Sequence, residues 1–180
     1  RAAVAALPDE VLGIHGQVDL LFNNAGVAVG GLFSQVSEKD FDWLMEINFH
    51  AVVRMTRAFL PLLRERPAAR VVNISSLFGL IGFPYQSAYC ASKHAVRGFT
   101  ESLRHEMRGT EIRIAAVHPG GVRTNIVSNA RFHADDAGNS DVAEAAERFA
   151  SLARATPEKA AKIIQSGIEA GKPRILVGAD

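Results

Sequence analysis

The chain has 180 residues, 48% of them hydrophobic, enough for the core of one compact domain. Its 20 basic and 19 acidic residues are well mixed and leave a net charge of +1, which argues against a nucleic-acid groove or an anionic membrane surface as partner. Cys90 is the only cysteine, so an intrachain disulfide is excluded and a reducing, cytoplasmic setting is expected.

No stretch has the length and apolarity of a transmembrane span. The opening RAAVAALPDEVLGIHGQ contains Asp9 and Glu10, lacks an uninterrupted apolar run before a cleavage site, and does not read as a signal peptide. The six histidines have no ligand spacing and no second cysteine to join them, so no metal site is expected.

Taken in order, Val4 to Ile14 has a helical pattern closed by Gly16. VDLLF, Val18 to Phe22, is a short apolar run that reads as a strand buried on both faces. Ser37 is the expected N-cap of a long helix, with Glu38 and Asp40 in its first turn. That helix should carry Phe41, Leu44, Val52, Met55 and Phe59 on or near one stripe, and Pro61 should bend or fray its end. RVVNIS, Arg70 to Ser75, is a second strand, followed by a loop rich in glycine and aromatics, Leu77 to Gln86. A helix is expected from Ser87 to about Met107, a third strand at Ile112 to Gly120, and a helix capped by Thr156 with Pro157 at its first position and Gly171 at its end. Arg174 to Gly178 is a fourth strand. Residues 126–155 are the least regular region and are expected to serve as a lid; a helix is possible within AEAAERFASLARA.

Strands alternating with helices imply βαβ units: an α/β fold with a doubly wound parallel sheet, Rossmann-like, over 1–180 as a single domain. Ligands in such sheets bind beyond the carboxyl ends of the strands. Polar clusters stand at those ends: Asn23 and Asn24, Ser75 and Ser76, and Pro119 to Thr124.

On the third helix Tyr89 and Lys93 are four residues apart, hence one turn apart on one face. A free phenol has a pKa near ~10, and a protonated lysine beside it would lower that value and make it a usable acid at neutral pH. Asn48 falls in the middle of a helix, where asparagine competes with the backbone for hydrogen bonds, a pointer to function. His118 reads as a packing residue and Cys90 as a small buried hydrophobe.

NNAG at Asn23 to Gly26, IN at Ile47 and Asn48, ISS at Ile74 to Ser76, YCASK at Tyr89 to Lys93 and PGGVRT at Pro119 to Thr124 occur in order. Together they resemble the short-chain dehydrogenase/reductase family of Rossmann-fold oxidoreductases, and Ser76 lies thirteen residues before Tyr89, the family's spacing. The resemblance implies an NAD(P)-dependent oxidoreductase acting on an alcohol/carbonyl pair. It makes Tyr89 the acid/base, Lys93 its tuner and a ligand of the nicotinamide ribose, and Ser76 the group that orients the substrate oxygen. Asn48 would hold a water in a proton relay. Ser75 is the neighbouring competitor of Ser76, and only the spacing favours the latter. Asn24, Ala25 and Gly26 would approach the adenosine ribose, and Gly120, Val122 and Thr124 would line the nicotinamide. The cofactor is NAD or NADP, without a readable preference. Relatives commonly pair through the helices bearing Asn48 and Tyr89, so a homo-oligomer is implied. Leu77, Phe78, Leu80, Ile81 and Phe83 suggest an apolar wall and a lipophilic ketone or alcohol as substrate.

One departure stands out. The family's opening strand and its T-G-x-x-x-G-x-G turn have no counterpart in the sequence. Such a turn sets backbone N–H groups and a helix N-terminus against a pyrophosphate. The chain is therefore expected to be an internal piece of a longer protein, holding only the later strands and helices of the fold, with VDLLF left as an apolar edge. Two readings stand side by side: the catalytic part of an oxidoreductase, or an inert segment or pseudoenzyme unable to hold cofactor. A serine hydrolase is disfavoured, because no G-x-S-x-G nucleophile elbow occurs.

Overall fold

The computed structural model describes residues 2–133, 147, 151 and 153–178. Helix α1, Ala2–His15, ends where Gly16 takes a φ of +73°, a left-handed turn that glycine adopts without a Cβ clash. Strand β1, Leu20–Asn23, follows, and then a two-residue strand β2, Val29–Gly30. Ser37 caps α2, Glu38–Met45, as expected: its hydroxyl accepts from the Asp40 N–H at 3.1 Å. The helix does not stay regular. Glu46–His50 forms a π-turn, and α3 continues from Ala51 to Arg64, with Pro61 inside its last turn.

Strand β3, Arg70–Ile74, leads through a 3₁₀ turn at Leu77–Gly79 to α4, Ser87–Glu106. Strand β4, Arg113–Pro119, precedes a second short strand, β5, Arg131–Phe132, which pairs in parallel with β2. Helix α5, Pro157–Glu169, is capped by the Thr156 hydroxyl on the Lys159 N–H and closed by Gly171 at φ +66°. Strand β6 is Arg174–Val177. Most of the lid expected at 126–155, including the helix within AEAAERFASLARA, lies outside the described residues.

The main sheet has the order β1-β3-β4-β6, all parallel, with Leu21 opposite Val71, Val72 opposite Ala115 and Val117 opposite Ile175. One face packs Leu21, Val71 and Ile114 against Phe59 and Leu63 of α3 and Leu103 of α4, with Leu7 and Val11 of α1 beside them. The other packs Val72, Ala115, Val117, Ile175 and Val177 against Ala160, Ile163, Ile164 and Ile168 of α5. Helices on both faces make the fold α/β and doubly wound.

Strand β1 departs from its expectation of burial on both faces. Its residues alternate: Leu21 and Asn23 are buried, whereas Leu20 and Phe22 are 47% and 39% exposed. Phe22 stands opposite Val72, on the α5 face. Among the described residues no helix reaches across that face to β1, which is also an edge strand. Among the same residues, no helix is long and apolar enough to cross a membrane.

Asn23 turns inward and serves the scaffold. Its Nδ2 donates to Asn73 Oδ1 at 2.8 Å and Thr56 Oγ1 at 3.2 Å, and Asn73 Nδ2 donates to Thr100 Oγ1 at 2.9 Å. The chain of bonds ties β1 and β3 to α3 and α4, and fully partnered buried amides of this kind fix strand register.

Candidate active site

The first turns of α4 carry Tyr89 and Lys93 past the carboxyl ends of β3 and β4. Lys93 is 3% exposed; its Nζ donates to the Ile74 carbonyl at 3.1 Å and lies 5.6 Å from the centre of the Tyr89 ring. The 3₁₀ turn is pressed onto the backbone of Lys93. Ser75 Oγ donates to the Lys93 carbonyl at 2.8 Å, and a Cβ at Gly79 would overlap Ser75 Oγ and come within 2.7 Å of the Lys93 carbonyl oxygen. Glycine is needed at 79 for this approach, and it sets the height of Lys93 in the site.

The two adjacent serines separate here. Ser75 is committed to the Lys93 backbone. Ser76 takes an extended conformation, φ −164° and ψ 167°, and caps the turn: its Oγ accepts from the Phe78 N–H at 3.1 Å. Its side chain stands close enough to the Tyr89 phenol to favour the phenolate. With a lone pair taken by Phe78, the hydroxyl proton is free to be aimed at the phenol or at an oxygen lying beside it.

The electrostatics differ from the sequence expectation. Burial pushes the Tyr89 phenol up to about 12, and the Ser76 side chain opposes that rise. Burial also lowers the Lys93 ammonium to about 8. Lys93 therefore does not bring the phenol below its ordinary value in this enclosed site, because desolvation disfavours the phenolate and the ammonium alike. At neutral pH the pair consists of an intact phenol and a charged ammonium.

Asn48 sits in the π-turn and is 1% exposed. Its Oδ1 accepts from the Val27 N–H at 2.8 Å, and its Nδ2 donates to the Val27 carbonyl at 3.0 Å and to Ser92 Oγ at 3.1 Å. The side chain is thus a bracket between the β1 turn and α4, with both amide hydrogens used. Asn24 and Ala25 are exposed beyond β1. Gly26 faces the centre: a Cβ there would lie 3.3 Å from Lys93 Nζ and 3.5 Å from Asn48 Oδ1.

The loop after β4 is pinned from α5's side. Gly120 N–H bonds the Val177 carbonyl at 2.8 Å, Arg123 N–H the Ala155 carbonyl at 3.0 Å, and Val122 pairs with Ala155. The Val122 side chain is buried and Thr124 is exposed. Tyr89, Lys93, Ser76, Asn48 and Gly26 come together; Asn24, Ala25, Gly120, Val122 and Thr124 lie on the flanking loops.

Three contacts add to the sequence reading, which placed Phe78 and Phe83 in an apolar wall and His118 in the packing. Phe78 stacks on Phe83, with ring centres 4.8 Å apart and planes 13° apart, and meets the Tyr89 ring edge-on at 6.2 Å. Arg131 lies over the Trp43 ring and bonds Asp40 at 2.6 Å, tying the segment after β4 to the start of α2. This pair and Ser37 hold the Asp40 carboxyl below its usual range. His118 is buried, as its packing role requires, and in addition bonds the Ser76 carbonyl. The Arg131 and His118 contacts join residues distant in sequence, so no local spacing announces them. Among the described residues no group of histidine, cysteine and carboxylate side chains is placed to hold a metal ion.

The sequence profile of the family described as short chain dehydrogenase matches residues 1–135. SadH of Mycobacterium tuberculosis is 43% identical over 182 residues, which take in all of this chain and 65% of SadH. A 3-ketodihydrosphingosine reductase of Bacteroides thetaiotaomicron is 35% identical over 136 residues, 76% of this chain and 51% of the reductase. Among solved structures, a short chain dehydrogenase/reductase from Burkholderia phymatum in complex with NAD superposes with a TM-score of 0.84 at 33% identity, covering 97% of this chain and 66% of that one. The chain thus spans about two thirds of the length of SadH and of the Burkholderia protein. A profile match over three quarters of the sequence, joined to this sheet order and this grouping of side chains, leads to one conclusion: the chain belongs to the short-chain dehydrogenase/reductase family.

Proposed function

We propose that this chain is the catalytic part of an NAD(P)-dependent oxidoreductase that interconverts an alcohol and a carbonyl compound. The observation that carries the reading is the grouping of Tyr89 with Lys93, whose Nζ lies 5.6 Å from the ring centre and donates to the Ile74 carbonyl, and with Ser76, whose side chain favours the Tyr89 phenolate. The NAD-bound Burkholderia relative supports the choice of cofactor class.

The residues present fit the riboses and the nicotinamide of such a cofactor. The turn at Asn24 to Gly26 is open at its tip and small at its base, where a Cβ would crowd Lys93 Nζ. Asn24, Ala25 and Gly26 would approach the adenosine ribose, Lys93 and Tyr89 the nicotinamide ribose, and the Gly120, Val122 and Thr124 loop the carboxamide. When bound, the cofactor supplies a hydride to the substrate carbon or accepts one from it.

In reduction, Ser76 donates a hydrogen bond to the carbonyl oxygen and fixes its position, an oxyanion-type contribution. Tyr89 gives its proton to that oxygen as the C–O π bond becomes an alcohol, and the charge of Lys93 stabilises the phenolate left behind. In oxidation the phenolate takes the alcohol proton back. Asn48 holds the β1 turn in place, and its remaining Oδ1 lone pair is the acceptor for a relay water leading from Lys93. The Phe78–Phe83 wall, with Ile81 47% exposed beside it, favours a lipophilic substrate.

Tyr89→Phe tests the reading, in a chain that also carries the family's glycine-rich half. Turnover should fall by about 10²- to 10⁴-fold, the usual share of acid–base catalysis, with cofactor affinity largely kept. Unchanged turnover would remove Tyr89 from the chemistry. A second reading, an inert segment, rests on a different observation: the sequence has no glycine-rich phosphate turn and β1 lies open on one face.

A further inference from the structure

His118 stands at the end of β4, 2% exposed, and has no part in the chemistry above. Its Nδ1 lies 3.1 Å from the Ser76 carbonyl oxygen. A carbonyl oxygen only accepts, so Nδ1 must carry the proton and donate. The same oxygen accepts from the Gly79 N–H at 2.9 Å, which uses both of its lone pairs. Among the described residues the other ring nitrogen, Nε2, is enclosed without a partner, so a proton there would be a buried donor left unsatisfied. The ring is therefore neutral. Its burial, helped by Arg174 and Arg97 on the adjoining β6 and α4, keeps it so against the opposing pull of the Ser76 carbonyl and of Glu101.

Ser76 is consequently held at both ends. Its hydroxyl is fixed by the Phe78 N–H, its carbonyl by Gly79 and His118, and the preceding residue by the Ser75 N–H on the Val117 carbonyl at 2.8 Å. Val117 adjoins His118 on the same strand.

We propose that His118 is a positioning residue, whose Nδ1–H anchors the Ser76 backbone so that the Ser76 hydroxyl stays on Tyr89. It rests on the Ser76–Tyr89 pairing described under the proposed function. Side-chain groups that act through a neighbour contribute by holding it in productive geometry, and their loss is felt at the neighbour's partner.

The test reads Tyr89 directly. The chain has two tyrosines, so Tyr85→Phe leaves Tyr89 as the sole phenol. Its ionisation is followed by ultraviolet phenolate absorbance within milliseconds of an alkaline pH jump, before unfolding. Ser76→Ala removes the hydroxyl that lowers the phenol's pKa, and the ionised fraction at fixed pH should drop about three- to tenfold, the size of one hydrogen bond. His118→Phe should produce the same drop, the double variant no more than either single one, and His118→Asn, which keeps an N–H, should recover part of it. If Ser76→Ala moves Tyr89 and His118→Phe does not, the role of His118 is overturned while the Ser76–Tyr89 pairing stands. If Ser76→Ala moves nothing, the pairing itself fails and the inference with it. Nitrogen NMR of the unaltered chain checks the anchor without any substitution at 118: the His118 signals should be those of a neutral Nδ1–H ring, and an Nε2–H ring would contradict the inference.

Discussion

Around the start of α4, Asn48, Ser75, Ser76, Ser92 and Lys93 are buried, and each bonds another part of this chain. Along β1, on the sheet's α5 face, Leu20 and Phe22 are apolar, exposed and on an open edge. The difference teaches that the two requirements of the proposed reaction are met in different places. The groups proposed for proton transfer are held by contacts made within this sequence, from Gly79 against Lys93 to Asn48 across to Val27. The phosphate grip and the cover for β1 are not supplied by the described residues. Under the proposed function, chemistry and cofactor retention are therefore separable requirements.

The largest expected effect comes from breaking the closed region. Gly79→Ala places a methyl group into Ser75 Oγ and the Lys93 carbonyl, both of them backbone-anchored, so the turn must lift away. A loss of about 3 kcal/mol in urea unfolding is expected, the upper end of overpacking costs. Gly26→Ala meets only 3.3 and 3.5 Å contacts with side-chain tips and should cost much less. Equal losses at the two positions would contradict the tighter closure at 79.

Lys93→Met sharpens the comparison by sign. The folded pKa of Lys93, about 8, lies below its ordinary value of 10.5, so between those values the unfolded chain binds more protons and stability rises with pH. Above pH ~10 the raised phenol of Tyr89 works the other way. Lys93→Met should therefore stabilise the fold at pH 7, on the order of 2 kcal/mol, since the relieved ammonium burial outweighs the hydrogen bond that Ile74 loses. It should also flatten the rise in stability from pH 8 to 10. A destabilised variant with the rise intact would show that burial does not strain this lysine. The smallest effect on stability belongs to the open region: Leu20→Glu with Phe22→Lys should change unfolding by less than about 1 kcal/mol while reducing self-association seen by light scattering.

Much of this was legible in the sequence because local chemistry specifies it. Ser37 and Thr156 cap their helices with hydroxyls that accept from the third residue on, and Gly16 and Gly171 end helices in the left-handed region. Asn48 was marked by its poor fit to a helix, but the π-turn around it is a matter of which carbonyl each N–H reaches, and no residue type encodes that. The β2–β5 pair is two residues long, too short for any period to emerge. The VDLLF run was read as doubly buried because apolarity records what a strand could bury and not what stands over it. The rise of the Tyr89 pKa escapes for a similar reason: spacing places Lys93 near the ring but does not reveal how far the surrounding chain desolvates the phenol.

The separation of chemistry from cofactor grip is tested most directly by titrating NADH and NADPH into this chain and into one carrying the family's glycine-rich half, following nicotinamide fluorescence. The account predicts binding by the longer chain alone, with the shorter one folded and silent. Equally tight binding by both would contradict it, and would mean that residues of this sequence hold the dinucleotide phosphates themselves.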